Sequence, residues 1–293
     1  MSGALKEVRN RIQSVKSTQQ ITKAMKMVSA AKLRRAQDAI IQMRPYAQKL
    51  QEMLGNIVGS AGGDINIALA AQRPVEKVLI IVITSDRGLC GGYNSNLIKL
   101  TKLAITEKYA GFSSKDTAEI LPLGKKGYEH FTKNKFTVID QYWNIFADLN
   151  FEHVAAVAKF AMDAFEKGEV DAVELVYSEF KNAATQKFTV EQFLPVKKSE
   201  RKKGETKADF IFEPDKNILI KELMPKILNT QLYKAILDAH ASEHGARMTA
   251  MDKATENAEE LLKSLKISYN RARQAAITTE LTEIVSGAAA LQG

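Results

Sequence analysis

Residues 254–282 read ATENAEELLKSLKISYNRARQAAITTELT. Along them Ala254, Ala258, Leu261, Leu265, Ser268, Ala272, Ala275, Thr279 and Thr282 recur at alternating steps of four and three. That is a heptad seam, the mark of a helix that packs on another helix. The helical pattern reaches back to about Leu223 and forward to Gly287, with one early proline, Pro225, and one interior glycine, Gly245. At about 1.5 Å per residue such a run is on the order of 90 Å long, too long for a helix inside one compact domain. Towards its end Ala, Ser and Thr replace Leu in the seam. Small residues bury little apolar area, so this end is expected to rely on something outside the chain.

A second helical run covers residues 4–58. Leu5, Val8, Ile12 and Val15 make one seam, and Ile21, Met25 and Val28 the next. Leu33, Ala36, Ile40, Met43, Ala47, Leu50, Leu54 and Ile57 then keep heptad steps. Pro45 interrupts the last seam, which predicts a kink or break there. The first fifty residues carry Lys6, Arg9, Arg11, Lys16, Lys23, Lys26, Lys32, Arg34, Arg35, Arg44 and Lys49 against only Glu7 and Asp38. Most such residues form a solvated face, but the imbalance also points to an acidic partner surface.

Between the two runs the period changes. Glycines from Gly59 to Gly63 end the first helix. Lys77–Thr84 is a β-branched run that reads as a fully buried strand. The glycine-bearing turn 85–94 leads to a helix over 95–109. Ala118–Leu123 is the second strand, 127–133 a helix, and Phe136–Asp140 a third strand. Phe151–Glu166 is an amphipathic helix, Ala172–Phe180 a strand, and Phe188–Leu194 its hairpin partner. Strand and helix alternate, as in a layered α/β domain. Lys197–Lys207 is charged and has no apolar pattern, and so reads as a mobile loop. Phe210–Phe212 and a turn at Pro214 lead into the last helix, with Pro225 near its start.

The expected fold class is therefore α/β. The N- and C-terminal segments, 1–58 and 209–293, form a long antiparallel two-helix coiled coil. A small, Rossmann-like α/β layer domain is inserted at 76–196, followed by a charged linker at 197–208. At 293 residues and 45% hydrophobic, the chain is long enough for one or two domains. Its net charge of +8 fits acidic protein surfaces, nucleic acid or an anionic membrane. The single cysteine, Cys90, excludes an internal disulfide. The longest apolar stretch, Val78–Ile83, is too short to span a bilayer, and Met1–Lys16 has no signal-peptide core. The expectation is a soluble chain that meets a membrane only through partners.

Signals for catalysis are weak. The Gly88–Gly92 turn follows a strand and precedes a helix, where phosphate-binding loops sit. It lacks the three-glycine dinucleotide spacing and a Gly-Lys-Ser/Thr ending, and Gly124-Lys125-Lys126-Gly127 fails the same test. Both read as structural turns. His240 and His244 flank Glu243 at helical spacing but lack a third ligand and the His-Glu-x-x-His order. Cys90 has no His at catalytic spacing and reads as an inert thiol. No paired carboxylates or triad stand out, so no cofactor or metal is expected.

The stretch Ile277-Thr278-Thr279-Glu280-Leu281-Thr282-Glu283-Ile284-Val285-Ser286-Gly287-Ala288-Ala289-Ala290 resembles the signature of the γ subunit of the F-type ATP synthase, as found in bacteria. Ile277, Thr278, Glu280, the acidic Glu283, Gly287, Ala288 and the small last residue match it. Similar wording occurs at residues 21–28, 30–33, 86–92, 242–248 and 269–275, so the resemblance covers almost the whole chain. The Lys-rich linker and residues 111–150 are its least typical parts.

The resemblance implies an asymmetric central shaft inside a hexameric head of alternating α and β subunits. Its foot stands on the membrane ring of c subunits with the ε subunit, at the cytoplasmic face of the cell membrane. Rotation couples proton flow to ATP synthesis or hydrolysis on the head, and the chemistry belongs to β. It also implies head contacts at Met25, Arg87, Cys90, Arg273, Gln274, Thr278 and Glu280, and a foot contact at Tyr46.

Two other classes make different predictions. A basic coiled-coil nucleic-acid-binding protein needs interleaved aromatics, yet no aromatic precedes Tyr46. A nucleotide-binding enzyme rests only on the glycine turn.

Overall fold

The computed structural model describes residues 3–60, 68–108, 118–183, 185–196 and 216–292. The linker at 197–207, Phe210–Phe212 and Pro214 fall outside these residues. The chain forms two compact units. One comprises Met1–Ser29 with Arg247–Gly293, and the other Ala30–Ala246. Helices α1 (Gly3–Ser60) and α5 (Lys216–Gln292) contribute to both.

In the first unit the two helices pair antiparallel. The Thr22 and Thr255 hydroxyls lie 2.8 Å apart, and Lys26 Nζ sits 2.5 Å from Asp252 Oδ1, so α1 ascends where α5 descends. On α1 the inward positions are Leu5, Val8, Ile12, Val15, Gln19, Thr22 and Ser29. This corrects the expected second seam. Of its members Ile21 and Val28 are 59% and 58% exposed and Met25 is half-buried, while Thr22 and Ser29 are buried. The heptad phase of the first seam is continuous, and it runs through small polar residues one position away from the apolar ones.

The seam on α5 is corrected in the same way. Met251, Thr255, Ala258, Leu262, Leu265, Tyr269, Ala272 and Ala276 turn inward, whereas Leu261 is 40% exposed and Ser268 and Ala275 face solvent. Ala258, Leu265 and Ala272 belong to both stripes. The flank that wins carries Met251, Leu262 and Tyr269, which bury more apolar area than Ala254, Leu261 and Ser268. Thr279 and Thr282 are exposed, so the inward stripe ends at Ala276.

Replacing Ile12 by Asp is expected to lower the stability of the full chain by about 2–3 kcal/mol, because a charge would enter a half-buried apolar seam. Arg11→Ala, at an exposed site, is expected to cost under about 0.5 kcal/mol. Thermal unfolding followed by circular dichroism separates the two. Equal tolerance would refute the seam.

The second unit is built on a five-stranded sheet, β1 (Val78–Ile83), β2 (Ala118–Leu123), β3 (Thr137–Val138), β4 (Ala172–Phe180) and β5 (Gln186–Leu194), in the order β3-β2-β1-β4-β5. The first four strands are parallel, and β5 closes an antiparallel hairpin with β4. Helices α2 (Tyr93–Lys108), α3 (Lys125–Lys133) and α4 (Phe151–Glu166) make the connections. The helices begin slightly earlier than the sequence predicts at α2 and α3, and β3 is shorter.

The reason β1 reads as a continuous apolar run is that both its faces are covered. Val78, Ile80 and Val82 pack with Tyr93, Leu97 and Phe131, while Leu79, Ile81 and Ile83 pack with α4 and with Leu228, Leu232, Ala235 and Ile236 of α5. Helix α4 starts at Asn150, whose side chain accepts the His153 backbone N–H at 2.8 Å.

Neither proline breaks its helix. Pro45 lies inside α1 with no break there, and Pro225 lies well inside α5 rather than near its first turn. Each removes one backbone donor. Burial on both sides keeps the helices continuous: Met43, Ala47 and Leu50 around Pro45, and Met224, Ile227 and Leu228 around Pro225.

Candidate functional site

In open α/β sheets ligands bind outside the carboxyl ends of the strands, where the strand order reverses. Here that point lies between β1 and β4, since β2 and β4 flank β1. Helix α5 occupies it. Ser242 Oγ donates to Ser178 O at 3.1 Å, and Tyr93 OH donates to Ala239 O at 2.9 Å. Gly245 lets the helix approach closely, because a Cβ there would come within 3.1 Å of Ala183 O.

The start of α3 is closed in the same way. Its first free N–H groups are already taken: Lys125 N donates to Asp86 Oδ1 at 3.0 Å, Lys126 N to Ser85 O at 3.0 Å, and Gly127 N to Thr84 Oγ1 at 2.8 Å. Such groups form an anion site when unfilled. The turn after β1 fills it from within, so the Gly124–Gly127 stretch acts here as a structural turn. Gly124 sits at φ 118°, and a Cβ added there would lie 2.2 Å from Thr84 O.

Among the described residues the remaining titratable groups do not assemble a reaction centre. No group of three potential metal ligands occurs among the described residues. His240 and His244 meet at 3.1 Å between their Nε2 atoms, and His240 stacks on Phe146. Asp238 is buried at the α5–β4 contact, and its carboxyl is pushed up to about 6 by that burial, against the pull of Lys234 and Arg44. Tyr177 is raised by burial and by Glu191, which accepts its hydroxyl at 2.7 Å. The adjoining cavity, lined by Ala47, Leu50, Tyr177, Glu191 and Gln231, measures ≈20 Å³, room for about one water.

What the molecule offers outward is surface. The turn from Ser85 to Gly92 projects Arg87 and Leu89, with Leu89 65% exposed at φ 63°. Cys90 points the other way, 2% exposed and within the core beside Tyr93 and Leu97. Met25 is half-buried on α1, next to the exposed Met27 and Val28, and Tyr46 is exposed farther along that helix.

The end of α5 is another such surface. Every residue from 277 to 291 is exposed, including Ile277, Leu281, Ile284, Val285 and Leu291. The hydroxyls of Thr278, Thr279 and Thr282 donate back to the carbonyls of Gln274, Ala275 and Thr278 at 2.8–3.0 Å, and Ser286 bonds to Thr282 O. Their hydrogens are thus used inside the helix, and methyl groups and aliphatic chains dominate the exterior. Arg273, Gln274, Thr278 and Glu280 are all exposed beside them. Leu89, Leu281, Ile284 and Val285 are not among the contacts that the resemblance implies. Their signal was apolar side chains lying off the heptad seam.

Comparison with known proteins fits these surfaces. The ATP synthase family profile matches residues 4–291. The ATP synthase gamma chain of Cytophaga hutchinsonii is 52% identical over 98% of this chain and 99% of its own length. That of Flavobacterium johnsoniae is 53% identical over 99% of both. A central-stalk chain of the Tetrahymena thermophila mitochondrial ATP synthase, 25% identical, superposes with a TM-score of 0.56 over 80% of this chain and 99% of that one. A chain of the Euglena gracilis mitochondrial enzyme, 22% identical, shares the fold with a TM-score of 0.69 over 99% and 95%. This chain belongs to the ATP synthase gamma chain family.

Proposed function

We propose that this chain is the central rotor shaft of an F-type ATP synthase, coupling proton flow through the membrane ring to ATP synthesis or hydrolysis on the surrounding head. The observation that carries this reading is the end of α5. Five large apolar side chains stand exposed there on a single helix, in a sequence that matches the family signature. Exposed apolar area of this kind marks a surface that a partner covers.

The partners in this reading are the α and β head subunits, the ε subunit and the c ring, at the cytoplasmic face of the cell membrane. In this reading residues 1–58 and 209–293 belong to the shaft, and 76–196 to the foot. The head is met by Met25, by the turn carrying Arg87 with Cys90 beneath it, and by Arg273, Gln274, Thr278 and Glu280. Tyr46 belongs to the foot. No helix among the described residues is long and apolar enough to cross a membrane, which fits attachment through partners. In this reading the subunit itself is not catalytic, which fits the start of α3, where the turn after β1 already takes the free N–H groups. Isothermal calorimetry of the isolated chain with Mg-ATP is expected to show no stoichiometric binding at micromolar concentration. Tight one-to-one binding would sink the non-catalytic assignment. Reconstitution with α and β subunits is expected to yield a complex that hydrolyses ATP, and failure to assemble would sink the shaft role.

A further inference from the structure

The turn that presents Arg87 and Leu89 is held by a directional relay. Ser85 N–H donates to Asn94 Oδ1 at 3.0 Å, and Asn94 Nδ2 donates to Ser85 Oγ at 2.7 Å. The Asn94 amide thus grips Ser85 at two points, using its acceptor on the backbone and its donor on the side chain. With its lone pair engaged, the Ser85 hydroxyl has two acceptors for its hydrogen, Arg87 O at 2.7 Å and Asn94 Oδ1 at 3.1 Å, and the shorter bond directs it to Arg87 O. Asn94 Nδ2 also reaches Cys90 Sγ at 3.3 Å, on the far side of the turn.

The base is fixed from the other direction, by Asp86 on Lys125 N. Between these anchors Leu89 stands at φ 63° and Gly91 at φ 60°. A leucine in the left-handed region persists only where its surroundings over-determine it. The relay supplies that constraint, and the side chains it leaves outside are Arg87 and Leu89.

We infer that Asn94 and Ser85 are positioning residues for the contact between Arg87 and the head, acting through the Arg87 carbonyl. This rests on the shaft reading and adds to it the device that aims the arginine. The relay depends on Asn94 being a donor as well as an acceptor. Asn94→Asp keeps size and shape but removes the donor, so the Ser85 hydroxyl turns to the introduced carboxylate and abandons Arg87 O. Ser85→Ala removes the hydroxyl itself and serves as the second variant.

The test is a double-mutant cycle in the assembled complex, with assembly confirmed by gel filtration and steady-state ATP hydrolysis as the readout. Arg87→Ala is expected to lower turnover about tenfold by deleting a charge-assisted contact. Asn94→Asp and Ser85→Ala are each expected to lower it about threefold alone and to add nothing in the Arg87→Ala background. A merely structural relay would multiply the losses to about thirtyfold, and that result overturns the inference. Wild-type turnover in both Asn94→Asp and Ser85→Ala overturns it as well. Wild-type turnover in Arg87→Ala removes the head contact of this turn and the inference with it, while leaving the shaft role standing.

Discussion

Gly124→Ala is expected to prevent the full chain from reaching its native state, or to lower its stability by about 3 kcal/mol or more. Two independent effects add. At φ 118° and ψ 138° the backbone lies near a region that only glycine occupies freely. A methyl group there would also meet the Thr84 carbonyl at 2.2 Å and its hydroxyl at 2.8 Å. Neither atom is free to retreat. Thr84 N–H bonds to Leu123 O at 2.8 Å, and Thr84 Oγ1 accepts Gly127 N–H. The strain would spread into the junction at the ends of β1 and β2 and the start of α3. Gly88→Ala is the matched control, since a Cβ there meets nothing within 4 Å. Soluble yield and the thermal midpoint of the two variants check this. A Gly124→Ala chain as stable as Gly88→Ala would mean that the β1 and β2 loops are not interlocked.

Replacing Arg273 and Gln274 together by Leu is expected to leave the chain folded and the complex assembled, and to slow ATP hydrolysis and proton pumping together by about tenfold or more. The helix tolerates the change. Both residues are exposed, neither side chain bonds to another described residue, and Leu is a good helix former. The Thr278 hydroxyl bonds to the backbone carbonyl of Gln274, which the substitution keeps. What is lost is a forked cationic donor and a paired donor and acceptor, a few residues before the apolar end of α5. Groups of that kind suit a contact made at one rotor angle and released at another. A contact that differs between angular states changes turnover rather than fold. Wild-type hydrolysis and pumping in a correctly assembled double variant would show that the patch is only a hydrated surface.

The α/β unit was almost fully legible in the sequence because its signals are local. The six-residue apolar run Val78–Ile83 admits one reading as a doubly covered strand, and β2, α4 and β4 fall where their patterns place them. The long helices were legible in kind but not in face. A seam of Ala, Ser and Thr leaves two neighbouring stripes with similar apolar content. The choice between Leu261 and Leu262, or between Ile21 and Thr22, is made by the partner helix rather than by local periodicity. Thr22 turns inward because Thr255 meets it, and Ile21 turns outward although it is the more apolar of the two. The outward surfaces were named in the sequence only through family resemblance. The filled anion site at α3 depends on Asp86 reaching residue 125. No spacing rule contains contacts between residues so far apart in the chain.

The most direct measurement is single-molecule rotation. The head is immobilised by its β subunits, and a probe is attached to this chain in the assembled complex through a Lys133→Cys substitution on the exposed end of α3, since native Cys90 is buried. If the chain is the rotor shaft, Mg-ATP drives unidirectional, stepwise rotation of the probe. The steps stop when ATP is withdrawn. A probe that stays fixed, or only fluctuates about one position, while the same complexes hydrolyse ATP would contradict a rotating shaft.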